Sequence, residues 1–223
     1  MCIRNTVSSL RNCNNVANKM ARNYGILNRI KKILPTSSLQ TLYNSLIFTH
    51  FSYGIEVWGG CQAKHLKRII GIQKKSIRAI CKSQWLDHTE PRMKQLNALK
   101  INDQHYLQCL SLIFDMLKGH SPDIYGLKQE QNMNIAQHGL RSATDKPGNL
   151  RLPSFNALQV KTSFLSSIPN LWNALPADIQ NAATRKQFKA KLKRNILNQY
   201  HSKVSCHNPQ CTDHRFHLRP NHS

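Results

Sequence analysis

Stepped at about 100° per residue, the stretch AKHLKRIIGIQKKSIRAICK from Ala63 to Lys82 sorts itself by side. Lys64, Lys67, Arg68, Lys74, Lys75, Arg78 and Lys82 fall within about a third of the circumference, and Leu66, Ile69, Ile70, Ile77 and Ile80 take the opposite side. The pattern predicts a helix with one dry face, which needs a core to cover it, and one cationic face. Like charges strung along about 27 Å of helix repel one another, so an anion alongside would relieve them. A solvated helix face ordinarily mixes both signs, and this one holds no acid. The face is therefore expected to track a phosphate backbone, its cations positioning the strand without reading its sequence. Gly71, set among them, would let a sugar-phosphate strand come close. A plain solvated face and binding to acidic lipid are the competing readings.

The rest of the chain reads as further helices. Val16, Met20, Leu27, Ile30 and Leu34 form one narrow stripe, which Pro35 stops. Thr36 or Ser37 can cap a second helix from Leu39 to Phe48, followed by a turn region from Tyr53 to Gly60. Residues 101–118 carry a third stripe, ended by Gly119, and Thr184 caps a last, basic helix on the stripe Phe188, Leu192 and Ile196. Between Ser121 and Pro176 the period is lost and five prolines punctuate the chain, which predicts loops and a small hairpin within 150–165. The expected fold class is mainly α, a helical bundle followed by a loop-rich segment, a basic C-terminal helix and a disordered polar tail. Trp58, Trp85 and Trp172, each bracketed by apolar residues, are expected in cores and not as base-stacking platforms.

The excess charge has the same address. Among 223 residues there are 32 Lys and Arg against 10 Asp and Glu, a net +22. Residues 1–34 and 64–82 each hold seven cations and no carboxylate, and residues 179–223 hold nine cations against Asp213. Charge concentrated in three blocks is a local footprint for a polyanion. The first block also has the composition of a transit segment, but its helical pattern runs on without a cleavage junction. The most apolar stretch, Leu42 to Trp58, contains Asn44, Ser45, His50 and Glu56 and is read as core, so no membrane association is expected. Seven scattered cysteines fit a reducing, intracellular setting, nuclear or cytoplasmic.

The ten carboxylates include no adjacent pair and no Asp-x-Asp, which two-metal phosphoryl chemistry would use to hold its ions. Asp87, His88 and Glu90 come nearest to an acid/base group, and capping of a helix near Pro91 is the favoured role for them. No phosphate-binding glycine loop and no Gly-x-Ser-x-Gly elbow occurs. Cys206, Cys211, His214 and His217 offer zinc-type ligands, but their spacing matches no common finger and five histidines crowd the tail, so neither metal nor cofactor is assigned.

Several strings then occur in a specific order: LNRIKKILP at 27–35, LYNSLIFTHFSYGIEVWGG at 42–60, IQKKSIRAI at 72–80, HTEPRMKQLNALKIND at 88–103, HGLRSATD at 138–145, LWNALP at 171–176 and FKAKLKRNIL at 188–197. In order and spacing they resemble the region downstream of the palm in reverse transcriptases of non-LTR retrotransposons, the LINE elements, of the jockey type. The resemblance implies a helical thumb with its following segment, holding RNA template, RNA/DNA hybrid or DNA. It carries Gln73, Lys74, Lys75 and Arg78 over as nucleic-acid contacts, beside Lys64, Lys67, Arg68 and Lys82 from the charge pattern. The family's aromatic-Ala-Asp-Asp turn of the palm has no counterpart, so the chain by itself is expected to be no enzyme. The expected organisation is a divergent leader over 1–15, a thumb-like domain over 16–120, a loop-rich segment ending in a basic helix over 121–200, and a His/Cys tail over 201–223. The rival expectation is a degenerate structural or protein-interaction remnant that self-associates through an apolar face stripped of its palm.

Overall fold

The structure, a computed structural model, describes residues 2–61, 63–84, 87–122, 150 and 170–200, with side chains from Arg11 onward. Among the described residues every regular element is a helix, so the mainly α reading holds. In chain order these are α1 (Cys2–Ile30), α2 (Thr36–Tyr43), a π segment (Asn44–Phe48), α3 (Thr49–Ser52), α4 (Ile55–Trp58), α5 (Ala63–Ile80), α6 (Thr89–Gln95), α7 (Ile101–Lys118), α8 (Ala177–Gln180) and α9 (Arg185–Asn198). The chain divides into two compact units, residues 1–105 with 195–223, and residues 106–194.

In the first unit α1 packs along α5 and against α2, the π segment, α3 and α4, while α5 also packs on α2 and α6. The apolar stripe of α1 starts earlier than its large residues suggest. Cys13 and Ala17 are buried with Met20 and Leu27, whereas Val16, Ile30 and Leu34 are only half-buried. Small side chains suit the close approach of two helices, and a search for large apolar residues passes over them. The helix also runs unbroken through residue 15, where the sequence reading ends its leader.

α2 begins on Pro35, in extended conformation, with no side-chain cap, so Thr36 and Ser37 lie inside the helix and do not cap it. The expected continuation to Phe48 exists, but it widens to a π turn. There the Ser45 hydroxyl donates to the Leu42 carbonyl at 3.2 Å, the Thr49 hydroxyl donates to the Ser45 carbonyl at 2.7 Å, and Asn23 Nδ2 donates to the Leu46 carbonyl. Side chains competing for helix carbonyls favour such a local change of pitch. Gly54, at φ 60, then turns the chain into α4, and Trp58 is buried with its indole N–H donating to the Tyr53 carbonyl at 3.1 Å.

Asp87, His88 and Glu90 do not form the expected cap. The N-cap of α6 is His88, which makes no side-chain cap bond. Asp87 instead accepts from the Gln84 N–H at 3.1 Å, and Glu90 is buried and paired with the Lys100 ammonium. A carboxylate drawn inside needs a cation, and Lys100 supplies it. α7 spans the predicted 101–118, and Gly119 at φ 80 closes it, with the His120 N–H donating back to the Asp115 carbonyl at 2.8 Å. Tyr200 is buried, its hydroxyl accepting from the Lys100 N–H at 2.9 Å and donating to the Asp103 carboxylate.

In the second unit Phe188 stacks on Phe114 at 4.6 Å between ring centroids and on Trp172 at 6.0 Å. Thr184 caps α9 as expected, accepting from the Gln187 N–H at 3.3 Å, and Phe188, Leu192 and Ile196 are buried. Arg185 Nε lies 3.0 Å from Asp115 Oδ2. Asn173 clamps Leu150, its amide accepting from the Leu150 N–H and donating to the Leu150 carbonyl, both at 2.8 Å. The predicted hairpin beyond Leu150, Trp85, and the tail with Cys206, Cys211, His214 and His217 lie outside the described residues.

Candidate nucleic-acid interface

The dry face of α5 is buried as its period requires, with Leu66, Ile69, Ile77 and Ile80 in the core of the first unit. The opposite face carries the cations. Lys64, Lys67, Arg68 and Lys75 are exposed, and Lys74 and Arg78 are half-buried. Lys82 is also exposed but sits past the end of the helix, at φ 50, where the chain turns away. A Cβ placed on Gly71 would meet nothing within 4 Å, so the middle of the ridge is open.

Among the described residues no carboxylate lies within 4.0 Å of Lys64, Lys67, Arg68 or Lys82. Arg78 is oriented by a neutral group, Nε and Nη2 donating to the Asp87 carbonyl at 3.2 and 3.1 Å. That bond fixes the guanidinium beside the turn in which Lys82 and Ser83 sit.

Gln73 is the exception in the expected set. It is 1% exposed, and its amide is consumed internally: Nε2 donates to the Tyr43 hydroxyl and the Leu99 carbonyl, and Oε1 accepts from the Ile101 N–H. Nine residues at about 100° place it opposite Lys64, on the dry face, so the helical period alone argues against a surface role. The family string suggested a contact; burial removes it.

A second source of charge joins the ridge. The C-terminal end of α1 and the turns after α1 and α5 enclose a cleft of about 550 Å3, lined by Tyr24, Lys31, Lys32, Lys75, Arg78, Ala79, Lys82 and Ser83. Five cations thus line one hollow, with no carboxylate among the described residues of its lining. The Ser83 hydroxyl is buried there without a hydrogen-bond partner among the described residues. Sequence reasoning did not single out Tyr24, Lys31, Lys32 or Ser83. The available signal was the acid-free block of residues 1–34, but nothing local says which part of that block meets α5. Among the described residues no three His, Cys, Asp or Glu side chains gather to hold a metal ion, and no helix is long and apolar enough to cross a membrane.

A helical, strongly cationic unit of this kind is similar in sequence to part of a transposon-borne polymerase. Over 135 residues, 60% of the chain, it is 25% identical to the probable RNA-directed DNA polymerase from transposon X-element of Drosophila melanogaster. The chain spans 13% of that relative's length. This distant relationship agrees, at the level of a retrotransposon reverse transcriptase, with the ordered strings in the sequence. No protein-family model matches the chain, and no solved structure matches it.

Proposed function

We propose that the chain is a nucleic-acid-binding segment corresponding to the thumb and downstream region of a jockey-type LINE reverse transcriptase, holding template and primer without polymerising by itself. The observation that carries this reading is the cationic surface of Lys64, Lys67, Arg68 and Lys82, which have no carboxylate within 4.0 Å among the described residues, with Lys75 and Arg78 on the same helix. The distant similarity to a transposon polymerase supports the same partner. Contacts of this type act on phosphates, so they set affinity and register and leave sequence unread.

Binding to a primed RNA template should weaken with salt at a log-log slope of about −4 if ~4 to 5 duplex phosphates are engaged. A flat response rejects the proposal. Replacing Lys74, Lys75 and Arg78 together with Ala should weaken binding alike on unrelated sequences, and a base-selective loss would reassign them.

The exposed Tyr53 and Val57, 86% and 79% accessible, favour one other reading, self-association of a structural remnant through an apolar face. Light scattering separates the two, because apolar association persists in high salt where phosphate binding fades.

A further inference from the structure

The ridge and the cleft differ in what they can admit. The ridge is convex and open, so it can lie along a duplex or a single strand. The cleft is lined by Lys31 and Lys32, from the turn after α1, and by Lys75, Arg78 and Lys82, from α5 and the turn after it, around about 550 Å3. That is the size range of small-ligand pockets, ~300 to 1,000 Å3, and it suits one nucleotide unit and not the body of a double helix. Tyr24 adds an aromatic ring to the lining, half-buried on α1.

A cationic groove beside an aromatic ring is the combination that holds single strands: phosphates are neutralised while a base, which has a π face whatever its identity, stacks. In a duplex the bases are already stacked on one another and cannot use the ring. Resting on the nucleic-acid reading above, we propose that this cleft is a single-strand site. It takes one unpaired nucleotide of RNA or DNA, the phosphate among the lysines and Arg78 of the lining and the base against Tyr24.

The full chain should be titrated, by fluorescence anisotropy, into a labelled 12-nucleotide single strand and into the same sequence as a blunt duplex. Tyr24→Ala should weaken single-strand binding roughly 5- to 150-fold, the cost of losing one stacked base, without changing the salt slope or the duplex affinity. Tyr24→Phe, which restores the ring, should recover most of that loss. The double variant Lys31→Ala and Lys32→Ala should lower the single-strand slope by about 1.4, two phosphates' worth of counterions, and needs no change at Tyr24. An unchanged Tyr24→Ala affinity, or an equal loss on the duplex, overturns the cleft proposal. The broader reading then stands if Lys64→Ala, Lys67→Ala and Arg68→Ala together still weaken both ligands. If neither oligonucleotide binds the unmodified chain, both proposals fall.

Discussion

Gln73 and Tyr43 meet inside the first unit, the Gln73 side chain donating to the Tyr43 hydroxyl at 3.2 Å. The same amide nitrogen donates to the Leu99 carbonyl at 2.8 Å, and the amide oxygen accepts from the Ile101 N–H at 3.2 Å. One side chain thereby ties α5 to α2 and to the entrance of α7. The basic ridge depends on this indirectly, since the face that presents the cations is fixed by what the other face holds.

Gln73→Leu should therefore act on stability and not on binding. The substitution keeps the volume but strands a buried carbonyl and a buried N–H, for which a loss of about 2 to 4 kcal/mol is expected. Urea denaturation would read this as a lower midpoint at an unchanged slope. Nucleic-acid affinity of the folded protein should stay at its original value, and a selective loss of affinity at full stability would return Gln73 to the interface.

Alkaline pH should weaken the first unit before it weakens an average helical protein. Burial, reinforced by the Cys61 thiol whose sulfur is 3.1 Å away, pushes the Cys13 thiol from its ordinary 9.0 up to about 12. Burial likewise pushes Tyr43 from 10.0 up to about 12, against the opposing effect of Gln73. In both cases the unfolded chain ionises first. The stability these neutral groups contribute is complete below about pH 9 and is lost as the pH rises toward 12. Unfolding midpoints measured from pH 8 to pH 11.5 should fall, and Cys13→Ala should remove the part of the fall that begins near pH 9. Identical profiles for the two proteins would contradict the burial of that thiol.

Gly59 and Gly60 should differ sharply although they are neighbours. A Cβ on Gly59 would stand 2.5 Å from His105 Cδ2 and 2.5 Å from the Ile55 carbonyl oxygen, whereas one on Gly60 meets His105 Cε1 at 3.8 Å, an ordinary contact. The Ile55 carbonyl belongs to the backbone and cannot swing aside as a side chain can, so the turn itself would have to shift. Gly59→Ala should cost about 1 to 3 kcal/mol, with Gly60→Ala much milder, as read by thermal melting. Equal melting points would show that the contact between the α4 turn and α7 is loose.

Much of the local structure was legible in the sequence, because it follows from residues within a turn or two of one another. The two-sided pattern of residues 63–82 and the stripe of 188–196 gave both helix type and most of the buried face, whereas the stripe of 101–118 gave the helix alone, since Cys109, Ser111, Asp115 and Met116 are buried too and Tyr106 and Leu117 are only half-buried. Gln73 was misassigned only where a motif string was allowed to outweigh that period. Small residues hid part of the α1 stripe, and the competing hydroxyls of Ser45 and Thr49 gave no periodic sign of a π turn.

By itself, then, the sequence determined that this chain is helical and that one helix must turn a cationic face outward. Only the tertiary structure decided that Lys31 and Lys32 come to line one cleft with Lys75, Arg78 and Lys82. The physical reason is range. A helix and its faces are set by side chains three and four apart, while the meeting of residues more than forty positions apart is set by how α1 packs along α5, and no local period encodes that.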